Sequence, residues 1–231
     1  MRFPDSLRVN AIFIGKVAAH WDGKPPSGIV KHRADGRQWL TKTGLREDEQ
    51  ADLVHHGGFE KALHHYAADH YPFWAQEMPD LDDRFVPGGF GENITTIGLT
   101  EAHLCIGDVL HIGEAVVQIT QGRQPCWKLS AHIERKDMAA RFQKSGRTGW
   151  YYRVLQEGFI EAGDTVALME RPQPDWPLLT VIKARFDPRL DPMLARRLAA
   201  VAELSTSWRD GFVRKSDPTY DEDTASRLTG E

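Results

Sequence analysis

Residues 107–120 read GDVLHIGEAVVQIT, and this stretch decides the predicted fold. Two apolar, β-branched runs, at 109–112 and 115–120, flank Gly113 and Glu114, which have the Gly-X form of a tight hairpin turn. Further short runs of the same kind lie on both sides, at 9–17, 27–31, 104–106 and 165–169. Many short strands with glycine-rich turns favour a β-barrel or a β-sandwich.

Two helices are predicted within this β-rich region. Residues 67–77 are aromatic on one side, although Pro72 fits only near a first turn or at a kink. Residues 137–144 have Asp137 as a candidate N-cap and Gly146 just past the end. The first part of the chain is therefore predicted to be mainly β, with a few helices.

The character of the sequence changes at residues 171–177, RPQPDWP, where three prolines in seven residues predict a stiff linker. Beyond it the pattern is helical, at 179–186, from Asp191-Pro192 to about residue 203, and from Ser205 or Ser207 onward. The acidic tail, 217–231, is predicted to be frayed. We therefore predict a β-barrel-like domain at 1–172 and a small all-α, three-helix domain at 173–231.

The composition is that of a soluble globular protein, with 231 residues, 41% hydrophobic and 27% charged. A net charge of −4, from 29 basic and 33 acidic residues, gives no reason to expect nucleic-acid binding. The N-terminus lacks the pattern of a signal peptide, and no apolar run reaches membrane-spanning length. Two cysteines give no disulfide framework, so the chain is predicted to be cytoplasmic with reduced thiols. A homodimer is only the default expectation.

Cys126 is the leading candidate for chemistry. It lies in QGRQPCWK, residues 121–128, directly after an apolar run. Pro125 stiffens its approach, and Arg123 and Lys128 bring positive charge, which favours the thiolate that binds soft metals or acts as a nucleophile. The alternative is a cysteine buried as a small hydrophobic residue, and local context does not decide between them.

Three further segments have both a functional and a structural interpretation. The HHGG segment at 55–58 allows close backbone approach to a ligand, or forms a tight turn. The PGGFGENI segment at 87–94 leaves N–H groups for an anion, or forms a bulged strand entry. The GRTGWYYR segment at 146–153 makes a floor for a flat heterocycle, or a loop plugged into the core by its aromatic side chains.

The histidines at 56, 64, 65 and 70 raise the question of a metal site. Adjacent histidines on one strand point to opposite faces, so His64 and His65 rarely serve one metal. The chain has no HExxH motif and no tight Cys/His cluster. A zinc site is therefore not expected.

Taken together and in order, these segments resemble the MOSC domain, the fold of the molybdenum-cofactor sulfurase C-terminus, in its YiiM-type bacterial branch. The matching pieces are GLREDEQAD at 44–52, HGG at 56–58, KALHHY at 61–66, FGENI at 90–94, GLTE at 98–101, GD at 107–108, RQPC at 123–126 and GRTGW at 146–150. The likeness covers residues 1–170, and the helical tail looks like that branch's three-helix appendage. Glu47 replaces a glycine of the family's first loop, which implies a shifted turn or strain.

The resemblance implies a fold that binds molybdenum cofactor, with Cys126 as the molybdenum ligand. A thiolate suits a sulfur-rich metal centre, so the residue chemistry agrees. The contacts that we expect with the cofactor are phosphate pairing by Arg123, Arg147 and Lys31, and hydrogen bonds to the pterin edge by Asn93 and Glu92. We also expect backbone contacts from Gly57 and Gly58, and stacking by Trp150 or Tyr151. His56 is expected near the metal, and His56 or His65 as a proton source.

The function that follows is a molybdenum-dependent reductase of N-hydroxylated compounds, such as hydroxylaminopurine-like base analogues. Its electron donor is expected to be a separate reductase, because two cysteines are too few for an iron–sulfur cluster. Pyridoxal phosphate is not expected, since its chemistry needs the lysine of a dedicated transferase domain. One alternative is a sulfur carrier or cofactor-binding module that uses a Cys126 persulfide without turnover. Another is a structural barrel in which Cys126 is inert.

Overall fold

A computed structural model describes residues 2–52 and 57–230. The strands are β1 Val9–Ile14, β2 His32–Ala34, β3 Gln38–Thr41, β4 Gly44–Leu45, β5 Leu63–Ala67, β6 Ile94–Thr96, β7 Val109–Ile112, β8 Ala115–Gly122, β9 Trp150–Gln156, β10 Gly158–Ile160 and β11 Val166–Glu170. The helices are α1 Tyr71–Glu77, α2 Trp127–Ile133, α3 Met138–Ser145, α4 Leu178–Phe186, α5 Pro192–Ala199, α6 Thr206–Lys215 and α7 Ala225–Thr229.

The large sheet has the strand order β11-β7-β8-β9-β5-β6-β1-β2. Among its described strand pairs, β5 and β6 are parallel and the others are antiparallel. Backbone hydrogen bonds from Val9 N to Asp164 O, 2.9 Å, and from Val166 N to Leu7 O, 3.0 Å, join the start of β1 to β11. The sheet therefore curls back on itself, which confirms the barrel-like, mainly β prediction. Strands β10, β3 and β4 form a smaller antiparallel sheet.

The predicted hairpin is confirmed, because β7 pairs antiparallel with β8 and Ile112 lies opposite Ala115. Residues 27–31 and 104–106 were predicted as strands, and the structure corrects both. Ser27 and Cys105 make only isolated bridges. Pro25 and Pro26 lack the N–H groups that a ladder needs. The N–H of Cys105 is bonded instead to the Asp108 carboxylate, at 2.9 Å.

Strand β9 resolves the two interpretations of residues 146–153. It runs between β8 and β5, and the side chains of Trp150 and Tyr152 are fully buried. The core interpretation therefore holds for these two rings. Tyr151 faces the opposite side because successive side chains on a strand alternate.

The predicted helices are largely confirmed. Helix α3 ends at Gly146, which is left-handed at φ 72°. The Asp191 carboxylate caps α5 by accepting hydrogen bonds from two backbone N–H groups, and Ser205 Oγ accepts one from Trp208 N. Helix α2, which directly follows Cys126, was not predicted.

The acidic tail is the main correction in the C-terminal part. It was predicted to fray, but it forms the short helix α7. Glu222 holds the tail with two hydrogen bonds from Arg185, 2.7 and 2.8 Å, and lies 3.3 Å from Lys215 Nζ. Paired charges on well-packed helices offset the entropy of ordering the segment.

One hydrophobic cluster continues from the barrel strands into helices α4 to α6. At the junction, a Cβ on Gly122 would clash with Ile182 and would lie 3.0 Å from the Trp208 ring. The predicted domain boundary at residue 172 therefore stays a prediction, since the same buried core includes residues on both sides of it. A second, aromatic cluster packs α1, α2 and α3 together. In the part of the chain that the structure describes, no helix combines the length and apolarity needed to cross a bilayer.

Candidate functional site

Cys126 lies in the connection between a barrel strand and a helix. Strand β8 ends at Gly122, and Cys126 is the extended N-cap of α2, at φ −133° and ψ 173°. Its side chain is partly exposed, whereas Cys105 is buried. The interpretation as a small buried hydrophobic residue therefore suits Cys105, and Cys126 is presented to a cleft.

The cleft has an inner and an outer lobe that meet at Cys126. The inner lobe is narrow, at about 80 Å³, which admits a small group and not a whole small-molecule ligand. The outer lobe is wider, at about 670 Å³, within the size range of small-molecule sites. Both lobes share the side chains of Lys61, Arg123, Cys126, Lys128 and Tyr151.

Three of the cations that line the cleft, namely Arg123, Lys128 and Lys61, belong to both lobes, as Cys126 does. Arg123 is nearly buried, donates a hydrogen bond to Phe90 O and lies 5.6 Å from the Phe142 ring centroid. Lys128 Nζ donates to Pro26 O at 3.3 Å. Burial lowers the pKa of Lys61, with Glu60 and Asp52 opposing the shift. The cleft around Cys126 therefore has an excess of positive charge that suits an anionic ligand.

Lys31 and Asn93 line the inner lobe, but they already have protein partners. Lys31 forms an ion pair with Asp48, and burial lowers the pKa of Lys31 against the opposing effect of that carboxylate. Asn93 donates to Asp48 at 2.9 Å and accepts from the backbone N–H of His64 at 3.1 Å. Asp48 also accepts from Gly15 N at 2.7 Å. This buried network fixes the floor of the lobe.

Glu92 has a different role from the expected one. It is fully buried, and it accepts hydrogen bonds from the Tyr71 hydroxyl, from Gly88 N at 2.6 Å and from Phe90 N at 3.2 Å. Burial raises its pKa, and these bonds oppose the rise. Glu92 therefore orders the glycine-rich loop at 87–91, and it does not face the cleft where a pterin edge could be read.

Arg147 and Trp150 are also placed elsewhere. The Arg147 guanidinium lies 3.9 Å from the centroid of the Phe73 ring, and neither residue is among the described residues that line the two lobes. Trp150 is buried in the barrel against His65, with ring centroids 4.3 Å apart. Of the two expected stacking residues, Tyr151 is the one that lines the cleft.

His64 and His65 show the expected alternation of a strand. His65 is enclosed in the core, bonded to Tyr152 Oη at 3.0 Å and Thr96 Oγ1 at 2.9 Å, so it is not placed to give a proton to a molecule in the cleft. His64 faces the inner lobe beside Tyr151, with ring centroids 4.8 Å apart. Its buried Nε2 has no hydrogen-bond partner within residues 2–52 and 57–230.

Acid is expected to destabilise the protein through these two histidines. Burial lowers the pKa of His65 to about 3, and burial together with nearby Arg123 lowers the pKa of His64 well below its ordinary value. Below about pH 6.5 the unfolded chain binds these protons and the folded chain does not, so stability falls as pH falls. Each histidine is expected to remove up to about 1.4 kcal/mol of unfolding free energy per pH unit.

Urea unfolding between about pH 7.5 and about pH 5 measures this dependence. The variant His64→Gln is expected to lower the pH slope by close to one proton. An unchanged slope in that variant would contradict a neutral, buried His64.

His56 lies outside the described residues, so its role near the metal stays a prediction. Gly57 and Gly58 follow directly, and Gly58 N donates to Gln50 Oε1 at 3.3 Å. Gln50 lines the inner lobe, so these glycines lie behind a cleft residue. Glu47 is not strained, because Ser6 and Glu134 are the non-glycine residues with positive φ in the described chain. A backbone hydrogen bond from Asp48 N to Leu45 O, at 3.0 Å, closes a turn around Glu47.

Known proteins resemble this chain along its whole length. The model of the family described as MOSC domain matches residues 52–167, and that of the YiiM-like, 3-alpha helix domain matches residues 176–215. Protein YiiM of Escherichia coli (strain K12) is 37% identical over 231 residues, which is 100% of each chain. The crystal structure of YiiM from Escherichia coli has a TM-score of 0.82 at 32% identity, covering 97% of this chain and 99% of that one.

A fungal relative is similar to the barrel region. The protein named Reductase from Gibberella moniliformis (strain M3125 / FGSC 7600) is 40% identical over 167 residues. That match covers 71% of this chain and 30% of the fungal protein.

Proposed function

This chain belongs to the MOSC-domain family, with the YiiM-like three-helix domain, and from that membership we propose that it binds molybdenum cofactor at Cys126 and reduces N-hydroxylated compounds. The observation that carries the proposal is the placement of the Cys126 thiol at the junction of two lobes. The outer lobe is large enough to admit a small-molecule ligand to this sulfur, and the narrow inner lobe extends from the same point. The fungal relative named Reductase supports the redox class.

The residues of the cleft fit the cofactor chemically. Cys126 offers a soft sulfur donor, which matches a sulfur-rich metal centre. Lys61, Arg123 and Lys128 offset the charge of an anionic ligand, and a phosphate is the kind of anion that arginine and lysine hold well. His64 lines the inner lobe beside Tyr151, so its ring adds a flat surface to the cleft.

When bound, the cofactor would supply a two-electron metal centre for removing the oxygen of an N-hydroxyl group. The protein's part is to hold and orient. Cys126 would hold the metal through its sulfur atom. His64, kept neutral by burial, would form part of the wall against which the ligand packs. A separate reductase would supply the electrons.

Molybdenum content tests the cofactor part of the proposal. We expect near-stoichiometric molybdenum, measured by elemental analysis, in wild-type protein purified from a host that makes the cofactor. Cys126→Ala is expected to lose most of it, because the protein ligand is gone. Cys105→Ala is the matched control, since Cys105 is buried, bonds to Pro174 O and does not line either lobe.

Two other outcomes would reject the assignment. Equal molybdenum in wild type and Cys126→Ala would show that Cys126 is not the ligand. No molybdenum in either protein, together with stoichiometric sulfur transfer from Cys126, would favour the persulfide-carrier alternative.

A further inference from the structure

The C-terminal helix α7 lies against the loop that carries Cys126. Arg227 donates one hydrogen bond to Pro125 O, the carbonyl directly before Cys126, and a second to Gln143 Oε1 at 2.8 Å. Two elements more than 80 residues earlier in the sequence are thus joined by one guanidinium group. Bidentate use of arginine gives geometric precision as well as energy.

The end of the tail packs on the first residue of α2. Gly230 lies so close to Trp127 that an added Cβ would be 2.7 Å from the ring. Lys24 Nζ donates to Gly230 O at 2.9 Å, which fixes the same residue from the other side. Only a glycine at φ 75° permits this approach.

The tail is also held at its other end. Glu222 is bonded to Arg185 and Lys215 in the helical region, so the segment from 222 to 230 runs between two fixed points. Ser226 and Arg227 lie in the middle of that segment, and both line the outer lobe of the cleft. Ser207 of α6 lines it too, and its hydroxyl contacts Gln121 at 3.4 Å.

We infer that α7 is a wall of the outer lobe, and that Arg227 is a positioning residue that sets the size of the molecules able to reach Cys126. A bulky molecule must displace α7 and break the bonds of Arg227, whereas a small one need not. The statement that a substrate occupies this lobe rests on the proposed function. The inference that α7 forms a wall of the lobe does not depend on that function, and it can be tested without any cofactor.

The test compares two thiol reagents of different size on the full-length protein. The small reagent is N-ethylmaleimide and the bulky one is N-(1-pyrenyl)maleimide, which are both uncharged and carry the same reactive group. All proteins carry Cys105→Ala and come from a host that lacks cofactor synthesis. Both reagents attack the same thiolate, so the ratio of bulky to small rate cancels any change in thiolate fraction. The ratio therefore reports access alone.

Arg227→Gln is expected to raise this ratio about tenfold, because one charge-assisted hydrogen bond is worth that much or more in an equilibrium. Ser226→Phe is expected to lower the ratio, since it narrows the lobe. The control Arg189→Gln, at an exposed arginine of the helical region, is expected to leave it unchanged.

The two opposite directions guard against misfolding, because loosening of the protein would raise the ratio in both variants. A ratio in Arg227→Gln equal to that of wild type would overturn the inference, as would a higher ratio in Ser226→Phe. Because the assay uses metal-free protein, its result does not depend on whether molybdenum is later found.

Discussion

Cys126→Ser is expected to reduce the steady-state reduction of an N-hydroxylated substrate at least about 100-fold. Substitutions that only support a metal ligand already cost 10- to 100-fold, so loss of the sulfur ligand itself is expected to cost more. Serine keeps the size of the side chain, and the extended N-cap conformation at 126 accepts it without strain. The measurement is kcat/KM with a reductant and a flavin or iron–sulfur donor present.

The matched variant is Cys105→Ser, which changes the same atom at a site away from the cleft. It is expected to keep the wild-type rate, apart from a loss of stability from the buried hydroxyl. Burial, reinforced by Asp108, raises the pKa of the Cys105 thiol, so this cysteine remains a thiol near neutral pH. Full activity in Cys126→Ser would exclude Cys126 from the reaction.

Asp48→Ala is expected to lower the unfolding free energy by about 3–5 kcal/mol. The side chains of Asp48 and Lys31 are only 2% and 4% exposed, so removal of the carboxylate leaves a buried, unpaired ammonium group. It also removes the acceptor of Gly15 N and leaves the Asn93 amide with Phe13 O, at 3.3 Å. Urea unfolding followed by far-UV circular dichroism measures the change.

Measuring the loss of stability at two pH values distinguishes an unpaired Lys31 ammonium group from a simple loss of packing. Burial already lowers the pKa of Lys31, and without Asp48 the main opposing effect is gone. The folded variant then binds fewer protons than its unfolded state, so its stability rises with pH and the loss is expected to be smaller at about pH 9 than at about pH 7. Asp5→Ala is the control, because the Arg2–Asp5 pair is exposed and contributes little. A loss independent of pH would argue against the unpaired lysine.

Short sequence patterns predicted the hairpin and the capped helices, because these elements form between residues close together in the chain. The hairpin of β7 and β8 follows from apolar runs around Gly113, and α5 follows from Asp191 and Pro192. The alternation of side chains along a strand correctly predicted that His64 and His65 face opposite sides. Tyr151 pairs with His64 on the neighbouring strand, so the same rule applied to both strands would have placed His64 in the cleft. Helix α2 has seven residues, too few for a clear helical period.

The site depends on contacts that no local pattern records. Glu92 was expected to hydrogen-bond a ligand, but it accepts a hydrogen bond from the Tyr71 hydroxyl instead. Tyr71 lies 21 residues away in the sequence, so this bond can be recognised only in the folded chain. Trp150 lies in a glycine-rich motif typical of binding loops, yet strand pairing turns it inward. The bond from Arg227 to Pro125 joins residues 102 apart, which is why the acidic tail was predicted to fray.

Gly122 has a consequence for protein engineering. Its missing side chain leaves the space into which Ile182 and Trp208 fit, and Gly107 approaches Glu203 in the same way. The helical segment is therefore not a portable module. A hybrid that places these helices on a related barrel is best built with a glycine at the equivalent strand end, because any larger residue there would force Ile182 and Trp208 out of their positions.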